Sequence, residues 1–144
     1  MSNKYPFYFQ SAVHDCIPAC VMALADYYHV QVNLKDIRKI LVTNPQHGTA
    51  IENLRNLGDI LHVQLGRLVD LSELPQYIPF ISYLKQAHAV VVWEYDLVKG
   101  KILIGDPAVG IVQIPIQDFL TQWDGLTAVL RNLPENEIGL TPQY

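Results

Sequence analysis

The sequence predicts an α+β domain, with helices gathered in its first half and an antiparallel sheet in its second. Three observations carry this. Apolar residues recur at helical spacing up to about residue 58 and in short continuous or alternating runs after residue 60. The runs at 79–84, 88–95 and 101–106 are joined by connections too short to contain a helix, so these strands turn back on one another instead of running parallel. The chain also has 144 residues, half of them apolar and only 17% charged, which is enough for one domain with its own core and excludes a disordered chain.

The elements follow in order. Asp15 reads as an N-cap for a first helix over 16–28, in which Ile17, Cys20, Val21, Leu24 and Tyr28 recur on one face. Pro18 falls at the third helical position, where its missing N–H removes a donor that has no helical partner anyway. Asn33 caps a second helix with Asp36 at its third position, and Leu34, Ile37, Ile40 and Leu41 form its apolar face. The capping-box pattern TAIE at 49–52 opens a third helix that Gly58 ends. LHVQL at 61–65 is a short strand, and LSEL at 71–74 a helical turn closed by Pro75. PFISYL, HAVVVWEY and KILIGD are strands over 79–84, 88–95 and 101–106, the last two forming a hairpin about the turn DLVKG. A strand over 110–116, a short helix over 116–123 and a strand over 126–133 complete the domain, and the residues from 134 to 144 form a polar tail or linker. A single domain is thus expected over 1–133.

No apolar stretch approaches the length that spans a bilayer, and the N-terminal MSNKYPFYFQ has neither an apolar core region nor a cleavage site of a secretory signal. A cytoplasmic location is expected. The net charge of −4 and the absence of any basic run give no support for nucleic-acid binding.

Two cysteines, Cys16 and Cys20, lie four residues apart in QSAVHDCIPAC. A regular helix seldom orients such a pair for a disulfide. With His14 they make no sensible zinc set, so no metal or other cofactor is expected. Cys16 opens the first helix, where unpaired N–H groups and the positive end of the helix dipole favour a thiolate. It is either a nucleophile or a small core residue. Cys20, one turn deeper, is a core residue.

A nucleophilic cysteine needs a base, and His88 is the histidine that leads the strongest strand. Placing the hairpin centre near residue 97 sets His88 and Asp106 opposite one another, where the carboxylate would orient the imidazole. The alternative is a strand-end histidine and a turn-capping aspartate. Gln10 could supply an amide N–H to an oxyanion, with the backbone N–H of Cys16 as a second donor.

These residues resemble the bacterial C39 cysteine peptidases, papain-like domains that process bacteriocin and competence-peptide precursors. Gln10, Asp15 and Cys16 match the family's glutamine six residues before an Asp-Cys; HAVVV at 88–92 and DPAVG at 106–110 match its histidine strand and its Asp-Pro-x-x-Gly. HGTAIENLRNLG at 47–58 and IQDFLTQWDG at 116–125 resemble its middle helix and closing segment. The chain departs from the family at Ile17, where glycine is usual; that side chain either narrows the cleft or points into the core.

The resemblance implies a papain-like fold, with Cys16 as nucleophile, His88 as base, Asp106 as its orienter and Gln10 as oxyanion donor. It implies cleavage of leader peptides after a Gly-Gly pair by a monomeric domain, with a precursor peptide as substrate. An ABC exporter membrane domain is a further implied partner, at the inner face of the membrane. The alternatives are a non-catalytic leader-binding domain for such an exporter, and an enzyme of the same fold with another substrate.

Overall fold

A computed structural model describes residues 4–132. The tail expected over 134–144 lies outside the described residues, as do the last residue and first three of the expected domain.

The first helix, α1, spans Cys16–Tyr27. Every residue from Cys16 to Ala25 is buried, so α1 is a central helix with no solvent face along most of its length. Its alanines at 19, 23 and 25 let neighbouring elements approach closely. The second helix, α2, spans Leu34–Ile40 and has the expected cap: Asn33 Oδ1 accepts from the Asp36 N–H at 2.8 Å, and Asn33 Nδ2 donates back to the Asp36 carboxylate at 2.9 Å.

Two helical segments differ from expectation. Ile51–Leu57 is a 3-10 helix, and Thr49 does not cap it; the Thr49 hydroxyl pairs with that of Thr43 at 2.7 Å. The helical turn expected over 71–74 runs on through Pro75 as a 3-10 helix over Leu71–Tyr77, started by Asp70, whose carboxylate accepts from the Ser72 N–H at 3.0 Å. Pro75 sits at the fifth position without breaking it.

Among the described residues six strands form one antiparallel sheet: β1 His62–Arg67, β2 Phe80–Leu84, β3 His88–Asp96, β4 Lys101–Asp106, β5 Gly110–Pro115 and β6 Leu126–Arg131, with α3 at Ile116–Gln122 between the last two. Their order across the sheet is β1-β6-β2-β3-β4-β5. One face carries Leu65, Ile81, Ala89, Val91, Trp93, Ala128 and Leu130 against α1, α2 and the segment 51–57. The other face carries Phe80, Val90, Val92, Ile102, Ile104 and Val129 against the segment 71–77 and α3, whose Phe119 packs on Trp123. The helical first half thus covers only one side of the sheet.

The hairpin β3–β4 forms, but its centre lies further along than residue 97. Asp96 faces Lys101, Tyr95 faces Ile102 and Glu94 faces Leu103; the register then shifts at a bulge, so that Val92 faces Ile104 and Val91 faces Gly105. Asp106 pairs with Gly110 of β5 and not with β3. His88 and Asp106 are therefore not directly opposed; they meet diagonally at the end of the ladder.

Candidate active site

Cys16 is the first residue of α1 and is 7% exposed. The expected Asp15 cap is absent: no side chain caps this helix. The Asp15 carboxylate, itself buried, accepts from Ser11 Oγ at 2.7 Å and from Arg38 of α2 through Nε, at 3.1 and 3.2 Å, and Nη2. Burial pushes the Asp15 carboxyl up, but its bonds to Arg38 and Ser11 outweigh this and hold it below the usual range. The first-turn N–H groups beside Cys16 are left without a capping side chain.

His88 Nε2 lies 2.7 Å from Asp106 Oδ1. With that nitrogen taken, Nδ1 is the one available to a thiol. The bond to Asp106, then the nearby Cys16 sulfur, raises the imidazole from 6.5 to about 9, against the opposing effect of partial burial. Burial pushes Asp106 up, but its bonds to His88 and to the Ala108 N–H at 2.9 Å hold it below the ordinary carboxylate range. Asp106 thus both caps the turn after β4 and fixes the imidazole, through the same oxygen. Cys16 Sγ lies 3.9 Å from the carbonyl of Ala87, the residue before His88.

Gln10 reaches the same region from the N-terminal strap. Its backbone N–H donates to Pro107 O at 2.9 Å, next to Asp106. Its amide Nε2 donates to Ala12 O and Val13 O, both at 3.1 Å, so its two N–H groups point into the loop before α1. Oε1 is buried without a partner.

A pocket of about 200 Å³ opens beside Cys16, lined among others by His14, His47, Gly48, Tyr83 and Ala87. Gly48 has φ +79°, a backbone conformation that side chains rarely adopt, so glycine suits the turn that packs the 44–48 loop against His14. Burial, then Cys16 and Glu52, push the Tyr83 hydroxyl above its usual value.

Ile17 is 2% exposed and packs in the core on the α1 side, and it also forms part of the wall of the pocket beside Cys16. Cys20 is 1% exposed; burial pushes its thiol well up, and both cysteines are free. Among the described residues no group of three or more His, Cys, Asp or Glu is placed to hold a metal ion, and no helix is long and apolar enough to cross a membrane. Reasoning from sequence missed Arg38, for which no local pattern signals an ion pair across 23 positions. It also left His14 and His47 as histidines without a role, because the pocket joins two loops distant in sequence.

The model of the peptidase C39 family matches residues 4–135. The chain belongs to the peptidase C39 family. No curated protein matches it. Solved C39 domains share its fold. The peptidase domain of Streptococcus ComA, a bifunctional ABC transporter involved in quorum sensing, is 23% identical over 90% of this chain and 99% of that one, with a TM-score of 0.78. A double glycine motif protease from an AMS/PCAT transporter, solved with its leader peptide, is 22% identical over 88% and 91%, with a TM-score of 0.75. The N-terminal peptidase C39-like domain of a toxin secretion ATP-binding protein from Vibrio parahaemolyticus is 16% identical over 85% and 100%, with a TM-score of 0.68. Within the C39 fold, the first residue of α1 and the adjoining ends of β3 and β4 meet at one place, where Cys16, His88 and Asp106 lie.

Proposed function

We propose that the chain is a cysteine endopeptidase that cleaves the leader from a secreted peptide precursor after a Gly-Gly pair. The observation that carries this is the imidazole of His88, tied to Asp106 at 2.7 Å through one nitrogen and set against the Cys16 sulfur. With its titration raised to about 9, His88 is an imidazolium at neutral pH. It starts the reaction as the acid, beside a thiolate nucleophile.

The thiolate attacks the scissile carbonyl. The uncapped backbone N–H of Cys16 and an N–H of Gln10 stabilise the oxyanion of the tetrahedral intermediate. For this Gln10 must release or share one of its bonds to Ala12 and Val13. His88 protonates the departing amine, leaving a thioester on Cys16. The neutral imidazole then takes a proton from water, the hydroxide attacks the thioester, and the acid product leaves with the thiolate restored. Asp106 holds one tautomer throughout.

Gly-Gly specificity is carried over from the family, and the AMS/PCAT relative is itself described as a double glycine motif protease. Glycine at both positions lets the substrate backbone lie flat in a channel too narrow for a Cβ. The relatives are also parts of ABC transporters, which supports an exporter membrane domain as partner and action at the inner face of the membrane.

The test is incubation with a panel of Gly-Gly precursors, alongside the variant Cys16→Ala, with products read by mass spectrometry. Cleavage after Gly-Gly by the wild type alone is expected. Binding of intact leaders with no turnover by the wild type would replace this reading with that of a leader receptor.

A further inference from the structure

The bulge in β3 governs whether His88 lies on the face of the sheet that Asp106 occupies. At the turn end of the hairpin Glu94 faces Leu103. Continued without interruption, that register would set Asp106 level with Val91. By strand alternation Asp106 would then share a face with Val91 and not with His88. The extra residue at the bulge, Trp93, moves the register by one, so Val91 faces Gly105. The next position sets Asp106 level with Val90, on the parity shared by residues 88, 90 and 92. One residue's slip separates a paired His88 and Asp106 from an unpaired one.

Trp93 also bears on the residue before Asp106. A Cβ on Gly105 would lie 2.9 Å from the Trp93 indole nitrogen and 3.5 Å from its Cδ1, so the indole sits directly on the Gly105 backbone. The indole is 2% exposed, and its N–H has no hydrogen-bond partner. Packing alone holds it: Tyr5 stacks on it at 4.7 Å and Tyr27 lies at 5.2 Å. Tyr5 is in turn anchored through its hydroxyl to Glu94 at 2.5 Å. On the far side of Asp106, the Gln10 N–H holds the Pro107 carbonyl.

We infer that Trp93 is a positioning residue for the reaction: seated on Gly105, it sets the height and face at which Asp106 meets His88. This rests on the role of Asp106 as orienter of His88. The groups that face His88 are Asp106 from β4 and Cys16 from α1, so in a Cys16→Ser background its titration reports Asp106.

The experiment places Gly105→Ala, Trp93→Phe and the pair together in that background, and follows the His88 ring by NMR against pH. Gly105→Ala is expected to move the His88 midpoint down toward 6.5. Adding Trp93→Phe, which makes room for the new methyl, recovers at least half of the shift. Trp93→Phe alone, which loosens the contact without overlap, moves it less and in the same direction, and keeps the inference testable if Gly105→Ala does not fold. With Cys16 present, Gly105→Ala lowers kcat by on the order of 10–100-fold with KM little changed. An unchanged His88 midpoint in the folded variants overturns the inference, as does a double variant shifted as far as Gly105→Ala. The titration needs no turnover, so a failure to cleave any precursor would sink the proposed peptidase activity while leaving this measurement decisive.

Discussion

Replacing Asp106 by asparagine keeps the shape of the side chain and its bond to the Ala108 N–H, and removes only the charge. His88 stands at about 9 instead of 6.5. At 1.36 kcal/mol per pH unit, that gap sets a ceiling of about 3.4 kcal/mol on the preference of the site for imidazolium. The Cys16 sulfur supplies part of it. The ring is also 29% exposed, so solvent screens the pair. About 1–2 kcal/mol is left for the Asp106 charge, or roughly one pH unit. The alkaline limb of kcat/KM in Asp106→Asn is therefore expected near pH 8 instead of near 9, measured from about pH 5 to pH 10.5 on one Gly-Gly precursor. The stability that the His88–Asp106 bond gives through His88 is complete below pH 6.5 and is lost as pH rises through about 9, because the folded-state value is the raised one. Asp106 is the opposite case: its contribution is present above 3.8 and lost as the pH falls through its lowered folded value. In Asp106→Asn the carboxylate dependence is gone and the His88 dependence narrows to the part that Cys16 supplies. An alkaline limb that stays at pH 9, or moves up, would refute the assignment of Asp106 as the partner that holds His88 protonated.

Gln10→Ala is expected to lower kcat by about 10²–10³-fold with KM retained; a loss below threefold would remove Gln10 from the oxyanion site. Arg38→Met leaves the buried Asp15 carboxylate unpaired and free to fold back onto the first turn of α1. A loss of about 2–4 kcal/mol in urea unfolding, with slower alkylation of Cys16, is the expected outcome, whereas a change below about 0.5 kcal/mol would show the ion pair to be idle. Ile17→Ala is expected to cost about 2–5 kcal/mol of stability in urea unfolding, since the side chain packs in the core while also lining the pocket beside Cys16; unchanged stability would show that its core packing is idle.

The strands could be read from the sequence because the β-branched and aromatic runs are short and sharply bounded, as HAVVVWEY is by QA and DLVKG. The meeting of His88 and Asp106 could be read too, because a tight hairpin fixes partners to within two residues, and that still brings the two side chains together diagonally. What could not be read was the final register, which the bulge at Trp93 sets. The bulge depends on Trp93 and Glu94 both turning toward the α1 side, a preference created by Tyr5 some 90 positions away. Asp15 and Thr49 fail as caps for the same kind of reason. Each has a local pattern that predicts a bond to its own helix, and each finds a stronger or better-placed partner elsewhere, Arg38 for one and Thr43 for the other. Local signals state what a side chain can bond to; the fold decides which partner arrives.

The place of β6 in the sheet has a consequence for biosynthesis. It pairs with β1 across residues 62–67 and with β2 at Ile81 and Ser82, filling the gap between strands made much earlier. A nascent chain that has emerged only through α3 therefore exposes two unpaired strand edges, and α1 lacks the Ala128 and Leu130 surface on which its core closes. Cys16 leaves the ribosome well before β6, so the scaffold beneath it is finished late. Translation itself thus delays completion of the surface on which α1 and Cys16 rest until nearly all of the described chain has been made.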